Sequence, residues 1–309
     1  MRLMTHRLRQ CIKYSTWSCA WLVFGFSEVL SAQVAWNFAG PVGAPPRVVR
    51  LASDPRSDLT LYFAAPGGGV WKSTDGGSSW IPIADLLPSL QVCSIAIDPR
   101  SPDVLYAGTG DDQNPRPLQT VARSPDGGRT WTTGPRFTNR PVCALAIDPA
   151  NSLRVFAGSA EGLFVSEDAG ASWSKLVASP VTSIAFDNLG NVYAGVLGDN
   201  AARDNILIRS SDGGSTWANI SLPDSPYGSN SQTTWVSVIA DANAVSVTVS
   251  YLLTGQGSGV VAQTSPSLMD FYRSTDGGNT WPEAVRVGSG HPPNQLFADA
   301  ASGDRKSVV

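Results

Sequence analysis

The sequence of 309 residues predicts an all-β fold, a β-propeller of four-stranded antiparallel blades. The first observation is an octapeptide, Ser-x-Asp-(Gly/Ala)-Gly-x-(Ser/Thr)-Trp, that occurs five times. Its copies span residues 73–80, 124–131, 166–173, 210–217 and 274–281. They start 51, 42, 44 and 64 residues apart, a spacing typical of propeller blades. The second observation is that four short β-rich runs fill each interval, which is the content of one blade.

Each octapeptide is interpreted as the turn of a β-hairpin. Its Asp carboxylate can accept hydrogen bonds from backbone N–H groups of the turn, and Gly supplies a position with positive φ. In the third copy Ala169 replaces the first Gly while Gly170 keeps the second, so we expect the second position to be left-handed. The Trp is expected to cover the turn with its ring. The residues in this structural role are Asp75, Asp126, Asp168, Asp212, Asp276, Trp80, Trp131, Trp173, Trp217 and Trp281.

The octapeptide lies late in a longer unit, whose strands we name A to D from the centre of the ring outwards. An apolar run that ends in Asp-Pro predicts strand A, and a Val-Leu-Tyr-Ala-Gly type of run predicts strand B. Strand C leads into the octapeptide and strand D leaves it. Residues 294–301 predict the start of a sixth blade, and residues 36–38 could form an outer strand that closes the ring. We expect part of a six- to eight-bladed ring, whose first five blades cover residues 45–84, 91–137, 141–177, 180–222 and 231–287.

The octapeptide resembles the Asp-box (BNR) repeat of sialidases, sortilin-type receptors and the two-propeller glycosidases that cleave xyloglucan. Five matches extend this resemblance over most of the chain. The resemblance implies a secreted propeller in which the Asp-box turns lie on the face opposite the active site. It does not imply one activity, because the family contains both enzymes and receptors.

The two ends of the chain are expected to lie outside the propeller, which we assign to residues 33–303. Residues 1–32 have a basic stretch, an apolar run from Trp17 to Phe26 and a Leu-Ser-Ala cleavage pattern, which together predict an export signal. We therefore expect a secreted, periplasmic or cell-surface protein. Residues 304–309 match the translation of a common sequencing adapter, so we expect a non-native tail there.

The composition limits the classes of function. The net charge of −3 becomes about −6 without residues 1–32, and no basic stripe is present, so we expect no nucleic-acid partner. No apolar run after the signal is long enough to span a membrane. Because His291 is the sole histidine after residue 32, a multi-histidine zinc site is excluded, and we expect neither a metal nor a cofactor. Any hydrolysis is expected to use carboxylates.

Two cysteines remain after the signal, Cys93 and Cys143, and they occupy the same position in successive repeats. The favoured interpretation is that both are small buried side chains on neighbouring inner strands. A disulfide between the blades is the alternative, which the chemistry of an exported protein allows.

The order of strands in a meander predicts where function lies. The A–B and C–D turns share one face, so the octapeptides lie with the turns at Asp54, Asp98 and Asp148. The B–C and D–A loops form the opposite face, which we call the candidate face, and loops on a rigid scaffold carry most binding residues. Its candidate catalytic carboxylates are Asp111, Asp112, Glu161 and Asp199. Its candidate ligand-binding residues are Arg47, Arg116, Arg140, Asn200 and Tyr227, with Arg47 and Arg140 nearer the channel.

Three functions are compatible with the residues of this face. The favoured one is a non-catalytic module that binds a glycan or an extracellular protein. The alternative is a glycoside hydrolase, sialidase-like or xyloglucanase-like, which needs two carboxylates flanking the sugar bond or a Tyr nucleophile. Sialidase activity is disfavoured because the segment around Arg47 lacks the Pro of the family's arginine motif and no Tyr-Glu pair is visible. An assembly factor of the photosystem type is the least favoured.

Overall fold

A computed structural model describes residues 48–110, 119–197, 206–223, 231–241, 244–253, 268–282, 285–289, 295–298 and 305–308. The described residues form five four-stranded antiparallel blades arranged as a β-propeller, as the sequence predicts. Strands and turns account for all the regular structure in these ranges. None of these segments provides a helix that could cross a membrane.

Each blade is a meander whose four strands follow one another in sequence. Blade 1 comprises β1 (Arg50–Asp54), β2 (Ser57–Ala65), β3 (Gly69–Ser73) and β4 (Ile81–Pro82). Blade 2 comprises β5 (Val92–Ile97), β6 (Leu105–Thr109), β7 (Val121–Ser124) and β8 (Thr132–Thr133). Blade 3 comprises β9 (Val142–Asp148), β10 (Asn151–Ser159), β11 (Gly162–Ser166) and β12 (Ser174–Val177).

The remaining strands continue the same order. Blade 4 comprises β13 (Val181–Phe186), β14 (Val192–Val196), β15 (Leu207–Ser210) and β16 (Ala218–Ile220). Blade 5 comprises β17 (Ser231–Asp241), β18 (Ala244–Leu253), β19 (Leu268–Ser274) and β20 (Val285–Ser289). A two-stranded sheet, β21 (Gln295–Ala298) with β22 (Arg305–Val308), follows. The predicted outer strand at residues 36–38 lies outside the described residues.

The hydrophobic core lies between the blades. Each apolar cluster draws side chains from two successive blades, so no blade has a core of its own. In blades 1 to 4 one aromatic residue of strand B packs between blades, and its exposed fraction is at most 1%. These residues are Tyr62, Tyr106, Phe156 and Tyr193. Burying a ring of this size stabilises the fold by about 2–3 kcal/mol. The blades therefore depend on one another for stability, as expected of a repeat fold.

Small residues allow the inner strands to approach closely. A Cβ at Gly108 would lie 2.2 Å from the carbonyl oxygen of Val142 in the next blade. Beside it, the Ser94 hydroxyl donates to that same carbonyl at 2.7 Å. The Ser183 hydroxyl donates to the Val236 carbonyl at 2.9 Å in the same way. These serines thus join one strand A to the next.

The octapeptides form turns, as predicted, and two side chains of each copy accept backbone N–H groups. In the first copy the Asp75 carboxylate accepts one backbone N–H, from Ser79 at 2.8 Å, and the hydroxyls of Ser73 and Ser79. The buried Ser73 Oγ accepts the Gly77 N–H at 2.8 Å. The other four copies repeat these two backbone contacts, and in the fifth copy Asp276 also accepts the Asn279 N–H at 3.0 Å. The prediction that Asp accepts backbone N–H groups of the turn is confirmed, and the first Ser supplies a second acceptor, which holds the N–H of the second Gly.

Both central positions of the octapeptide are left-handed. Gly170 has φ of 90°, as predicted, but Ala169 also has a positive φ, 57°. In the other copies the first Gly has φ of 69–71° and the second 87–97°. The expectation of a single left-handed position was therefore wrong. An L-residue can enter the αL region near +57° at some cost, whereas angles near +90° favour Gly.

Cys93 and Cys143 form a disulfide that joins β5 to β9, the inner strands of blades 2 and 3. The interpretation of two separate buried thiols was wrong, and the alternative pairing is correct. The strands A of successive blades lie side by side around the axis, which brings the two Cα atoms to 4.8 Å. That separation falls within the usual range for a disulfide.

The octapeptides and the A–B turns lie on one face, as predicted. The backbone N–H of the first octapeptide Gly, Gly76, donates to the carbonyl of Leu59 at the start of strand B. Gly127 donates to Asp103, and Ala169 donates to Leu153, in the same way. The B–C and D–A loops therefore lie at the opposite ends of the strands, on the candidate face.

Candidate functional site

Two of the predicted site residues lie in the described part of the candidate face. Glu161 occupies the turn between β10 and β11 in blade 3, and Arg140 occupies the loop that enters the same blade. Both lie at the ends of strands away from the octapeptides, as expected. The other predicted residues fall outside the described ranges: Arg47, Asp111, Asp112, Arg116, Asp199, Asn200 and Tyr227.

Glu161 is held in place by the loop that joins blades 2 and 3. Its Oε2 accepts a hydrogen bond from the Thr138 hydroxyl at 3.1 Å and one from the Asn139 N–H at 3.2 Å. Partial burial would raise the pKa of the Glu161 carboxyl, but hydrogen bonds from Asn139 and Thr138, together with the charge of Lys175, outweigh it and the pKa is lowered. Glu161 is therefore ionised at neutral pH, which suits a base, a nucleophile or an ionic contact better than a general acid.

The loop beside Glu161 is itself well ordered by hydrogen bonds. The buried Thr138 hydroxyl accepts the Arg140 N–H at 3.1 Å and lies 3.3 Å from the Ser159 hydroxyl. The Arg136 guanidinium donates to the Asn139 side chain at 2.9 Å. The Arg140 side chain is exposed. This part of the face thus presents a fixed carboxylate and exposed guanidinium groups.

The arginine that reaches the channel is Arg50. It is the first residue of β1, and its side chain extends across the axis to blades 3 and 4. Nη2 donates to the carbonyls of Cys143 at 3.1 Å and Thr182 at 3.0 Å, and Nε lies 3.4 Å from the Cys143 carbonyl. All three residues are at or near the start of a strand A. Arg50 therefore lies in the mouth of the channel on the candidate face, which we call the axial mouth.

A cavity of about 190 Å³ adjoins Arg50 along the channel. The inner strands of blades 2 to 5 line it, with Ser94, Ser183 and Ser237 among their side chains. Burial of the guanidinium lowers the pKa of Arg50 to about 10, so the group still carries its charge at neutral pH. Its Cζ lies 6.0 Å from the centre of the Trp235 ring, a cation–π contact.

Sequence reasoning missed Arg50, although the repeats contain a signal. The pairing of strands A and B puts Arg50 at the position that the other blades fill with Ser94, Ala144, Ser183 and Ser237. An arginine among small residues at one inner-strand position is unusual for a stretch buried on both sides. Aligning the repeats on strand A, rather than on the octapeptide, would have identified it.

The described residues contain no group of three His, Cys, Asp or Glu side chains that could hold a metal ion. Among the candidate carboxylates only Glu161 can be placed. The separation of a catalytic carboxylate pair therefore stays a prediction.

The chain is similar in sequence to several xyloglucanases. It is 26% identical over 267 residues to a xyloglucanase of a Paenibacillus species, a match that covers 81% of this chain and 22% of that protein. It is 28% identical over 248 residues to xyloglucanase Xgh74A of Acetivibrio thermocellus, covering 65% of this chain and 28% of that protein. The chain thus spans about a quarter of the length of these curated relatives. No family model matches it.

Solved structures with the same fold include GH74 enzymes. An ancestral GH74 enzyme superposes with a TM-score of 0.58 at 21% identity, over 78% of this chain and 31% of that one. The GH74 xyloglucanase of Xanthomonas campestris superposes with a TM-score of 0.57 at 16% identity, over 83% and 49%. The chain therefore has the propeller fold found in GH74 xyloglucanases, which are its homologues.

Proposed function

We propose that this propeller is the polysaccharide-binding part of a xyloglucanase-like glycoside hydrolase and that the candidate face receives the glycan. The observation that carries the proposal is the sequence similarity to xyloglucanases over 81% of the chain. The favoured interpretation from the sequence was a non-catalytic binding module. The similarity supports the hydrolase alternative better, and within it the xyloglucanase-like branch.

The proposal assigns roles to the carboxylates on the candidate face. Glu161, ionised and held by Thr138 and Asn139, would serve as base or nucleophile. The general acid would then be one of Asp111, Asp112 and Asp199, since the two roles need carboxyls in different environments. A separation of about 5–5.5 Å would indicate a retaining reaction and about 6.5–9.5 Å an inverting one. Sugar hydroxyls would be bound by Arg47, Arg116, Arg140, Asn200 and Tyr227.

A direct experiment separates hydrolysis from binding. The purified chain is incubated with xyloglucan while reducing ends are measured, and its migration is followed in gels that contain xyloglucan. We expect the wild-type chain to hydrolyse xyloglucan and Glu161→Gln to hydrolyse it at least tenfold more slowly. Retardation of the two proteins in the gel should be the same. Arg129→Gln, which removes a charge on the octapeptide face, serves as the control. A chain that neither cleaves nor binds xyloglucan would contradict the proposal.

Binding without catalysis is the second candidate, and one observation favours it. Oε2 of Glu161 accepts both hydrogen bonds, and so it connects the turn between β10 and β11 to the loop at Thr138 and Asn139. This structural role competes with a chemical role for the same oxygen. In this case xyloglucan would retard the chain in the gel, and no reducing ends would be released. The partner would then be a polysaccharide or an extracellular protein.

Export is also part of the proposal. The Cys93–Cys143 disulfide supports it, because such bonds persist in oxidising compartments. We propose that residues 1–32 are the signal and that the propeller acts outside the cytoplasm. Expression with and without these residues, followed by fractionation, tests the assignment.

A further inference from the structure

The interface between blades 2 and 3 lacks a side chain that the other interfaces have. In blades 1, 3 and 4 the residue three positions after the octapeptide Trp is aliphatic and packs against the octapeptide of the next blade: Ile83, Leu176 and Ile220. A Cβ at Gly278 of the fifth octapeptide, for example, would lie 3.1 Å from Ile220 Cδ1. Blade 2 has Gly134 at this position. A cavity of about 270 Å³ lies there, and both Gly134 and Gly170 of the next octapeptide line it.

The backbone at Gly134 leaves no room for the missing side chain. A Cβ at this residue would lie only 2.8 Å from the carbonyl oxygen of Gly170. The cavity is instead lined by the buried residues Val121 and Tyr106, and four exposed residues form its rim: Thr132, Thr133, Pro135 and Ala171. An aliphatic group on a ligand would gain from entering, because it would remove apolar surface from water.

A guanidinium lies at the same cavity. Arg123 lines it, with Nε donating to the Tyr106 hydroxyl at 3.3 Å and Cζ 6.0 Å from the centre of the Tyr106 ring. The two Nη atoms of Arg123 donate to no group among the described residues. In the matching interface between blades 4 and 5, Arg209 uses Nη1 to donate to the Gly277 carbonyl at 2.9 Å. That interface thus has a filled space and an engaged arginine, whereas this one has an open space and unused donors.

We propose that the cavity between blades 2 and 3 binds a carboxylate that carries a short branched aliphatic group. The Arg123 guanidinium holds the carboxylate, since its planar donors match two oxygens and charge-assisted hydrogen bonds are the strong ones. The aliphatic group lies against Val121 and Tyr106, in the place that Ile220 takes in the matching interface. The third octapeptide forms one wall, so the site lies away from the candidate face. It goes beyond the proposed function and does not depend on it.

Isothermal titration calorimetry on the purified chain tests the class of ligand, with isocaproate as the probe. Its neutral amide, isocaproamide, removes the charge, and acetate removes the aliphatic group. We expect isocaproate to bind at least about tenfold more tightly than either. Equal binding of isocaproate and isocaproamide, or no binding of isocaproate, would overturn the proposal. N-acetyl-leucine distinguishes the sources: tighter binding than isocaproate would indicate the end of a peptide chain, and weaker binding a free acid.

A blocked entrance tests the location. Ala171 is exposed, and the other octapeptides have Ser, Arg or Asn at its position, so the turn tolerates larger side chains. Ala171→Trp is expected to abolish isocaproate binding. Ser215→Trp makes the same change in the fourth octapeptide and should bind isocaproate as the wild type does. Unchanged affinity in Ala171→Trp would refute the site.

The charge is tested separately. Arg123→Gln should weaken isocaproate binding about tenfold and leave isocaproamide binding unchanged, because only the acid uses the charge. Arg209→Gln, at the same position of blade 4, is the control and should change neither affinity. An equal loss for the acid and the amide in Arg123→Gln would contradict the ionic contact.

Xyloglucan retardation, measured on the same variants, separates this inference from the proposed function. Ala171→Trp and Arg123→Gln should be retarded like the wild type, because the cavity lies away from the candidate face. Loss of retardation together with isocaproate binding in Ala171→Trp would contradict a separate site. Isocaproate binding by a chain that xyloglucan does not retard would support this site and count against the proposed function alone.

Discussion

The two left-handed residues of each octapeptide differ in how strictly they require Gly. The first position has φ of 57° to 71° and the second 87° to 97° across the five copies. The lower values lie in or near the αL region, which Ala can enter, and the higher values lie outside it. This difference explains why Ala169 is found at the first position and Gly at the second in every copy.

Opposite effects are expected from two substitutions in the third octapeptide. Ala169→Gly relieves the αL cost and should stabilise by about 0.5 kcal/mol, after the greater freedom of Gly in the unfolded chain is subtracted. Gly170→Ala should destabilise by about 1 kcal/mol or more, although its Cβ would have ordinary contacts, because the backbone angle is unfavourable. Urea unfolding of both variants measures the two changes. A loss of stability in Ala169→Gly would contradict the argument.

The octapeptide carboxylates should make stability depend on pH in acid. Hydroxyl and then backbone hydrogen bonds lower the pKa of Asp75, Asp126 and Asp168 to about 2. The ordinary pKa of Asp in an unfolded chain is about 3.9. The folded state therefore binds fewer protons, and this contribution is present above about pH 4 and is lost as the pH falls towards 2.

Asp126→Asn tests this pH dependence, because Asn keeps the shape of the side chain and does not titrate. Urea midpoints are measured between pH 5 and pH 2 for both proteins. The wild type should lose more stability than the variant over this range. If the urea midpoints of the two proteins fell in parallel as the pH is lowered, Asp126 would have the same pKa in the folded and unfolded states.

At the scale of the element, the octapeptides of blades 4 and 5 attach these blades to the blades that precede them. The carbonyl of the first left-handed residue accepts hydrogen bonds from the preceding blade, as at Gly277, which accepts from the Tyr193 hydroxyl at 3.0 Å and from Arg209 at 2.9 Å. Gly213 accepts from Arg154 at 3.1 Å in the same way. The turn is therefore more than a connection between strands C and D.

Replacing the first Ser of the octapeptide should destabilise the fold more than replacing an exposed Ser of the same octapeptide. Ser210→Ala leaves the buried Gly214 N–H without its acceptor at 2.7 Å, at a cost of about 1–3 kcal/mol. Ser215→Ala is the matched control, since Ser215 is exposed and donates only to the Asp212 carbonyl. The control should change stability by less than about 0.5 kcal/mol. Equal effects in the two variants would mean that Ser210 has no special role.

The sequence predicted the features that local chemistry determines. Five octapeptides and the strands between them defined five blades, because turn residues and β-rich runs act over a few neighbours. The shared face of the octapeptides followed from strand order alone. The candidate face follows from the same order, and Glu161 and Arg140 both lie on it.

The parts that were missed depend on contacts across the ring. The reach of Arg50 to the Cys143 carbonyl joins residues 93 positions apart and requires the curvature of the whole assembly. The Cys93–Cys143 pairing likewise depends on how closely two inner strands approach. No local pattern encodes these distances, although equivalent positions in successive repeats identify which residues face the axis.

At the scale of the whole molecule, the disulfide adds a covalent cross-link between the inner strands of blades 2 and 3, which the chain otherwise connects only through the loop between β8 and β9. It closes a segment with a sequence separation of 50 residues, between β5 and β9. Restricting an unfolded loop of this length stabilises the folded state by about 4 kcal/mol in the chain-entropy account. Arg50 binds the carbonyl of Cys143, so the same strand is also tied to blade 1. Blades 1, 2 and 3 therefore meet at one residue of the axial mouth.

Removing the disulfide should lower the stability of the propeller. It should also make that stability independent of a reducing agent. The Cys93→Ala/Cys143→Ala variant is expected to unfold at lower urea concentration, by about 2–4 kcal/mol in free energy. Dithiothreitol should destabilise the wild type to the level of the variant and leave the variant unchanged. Thiol titration of the denatured wild type without residues 1–32 should find no free thiol. Two reactive thiols, or equal stability with and without the reductant, would show that the two cysteines are not paired.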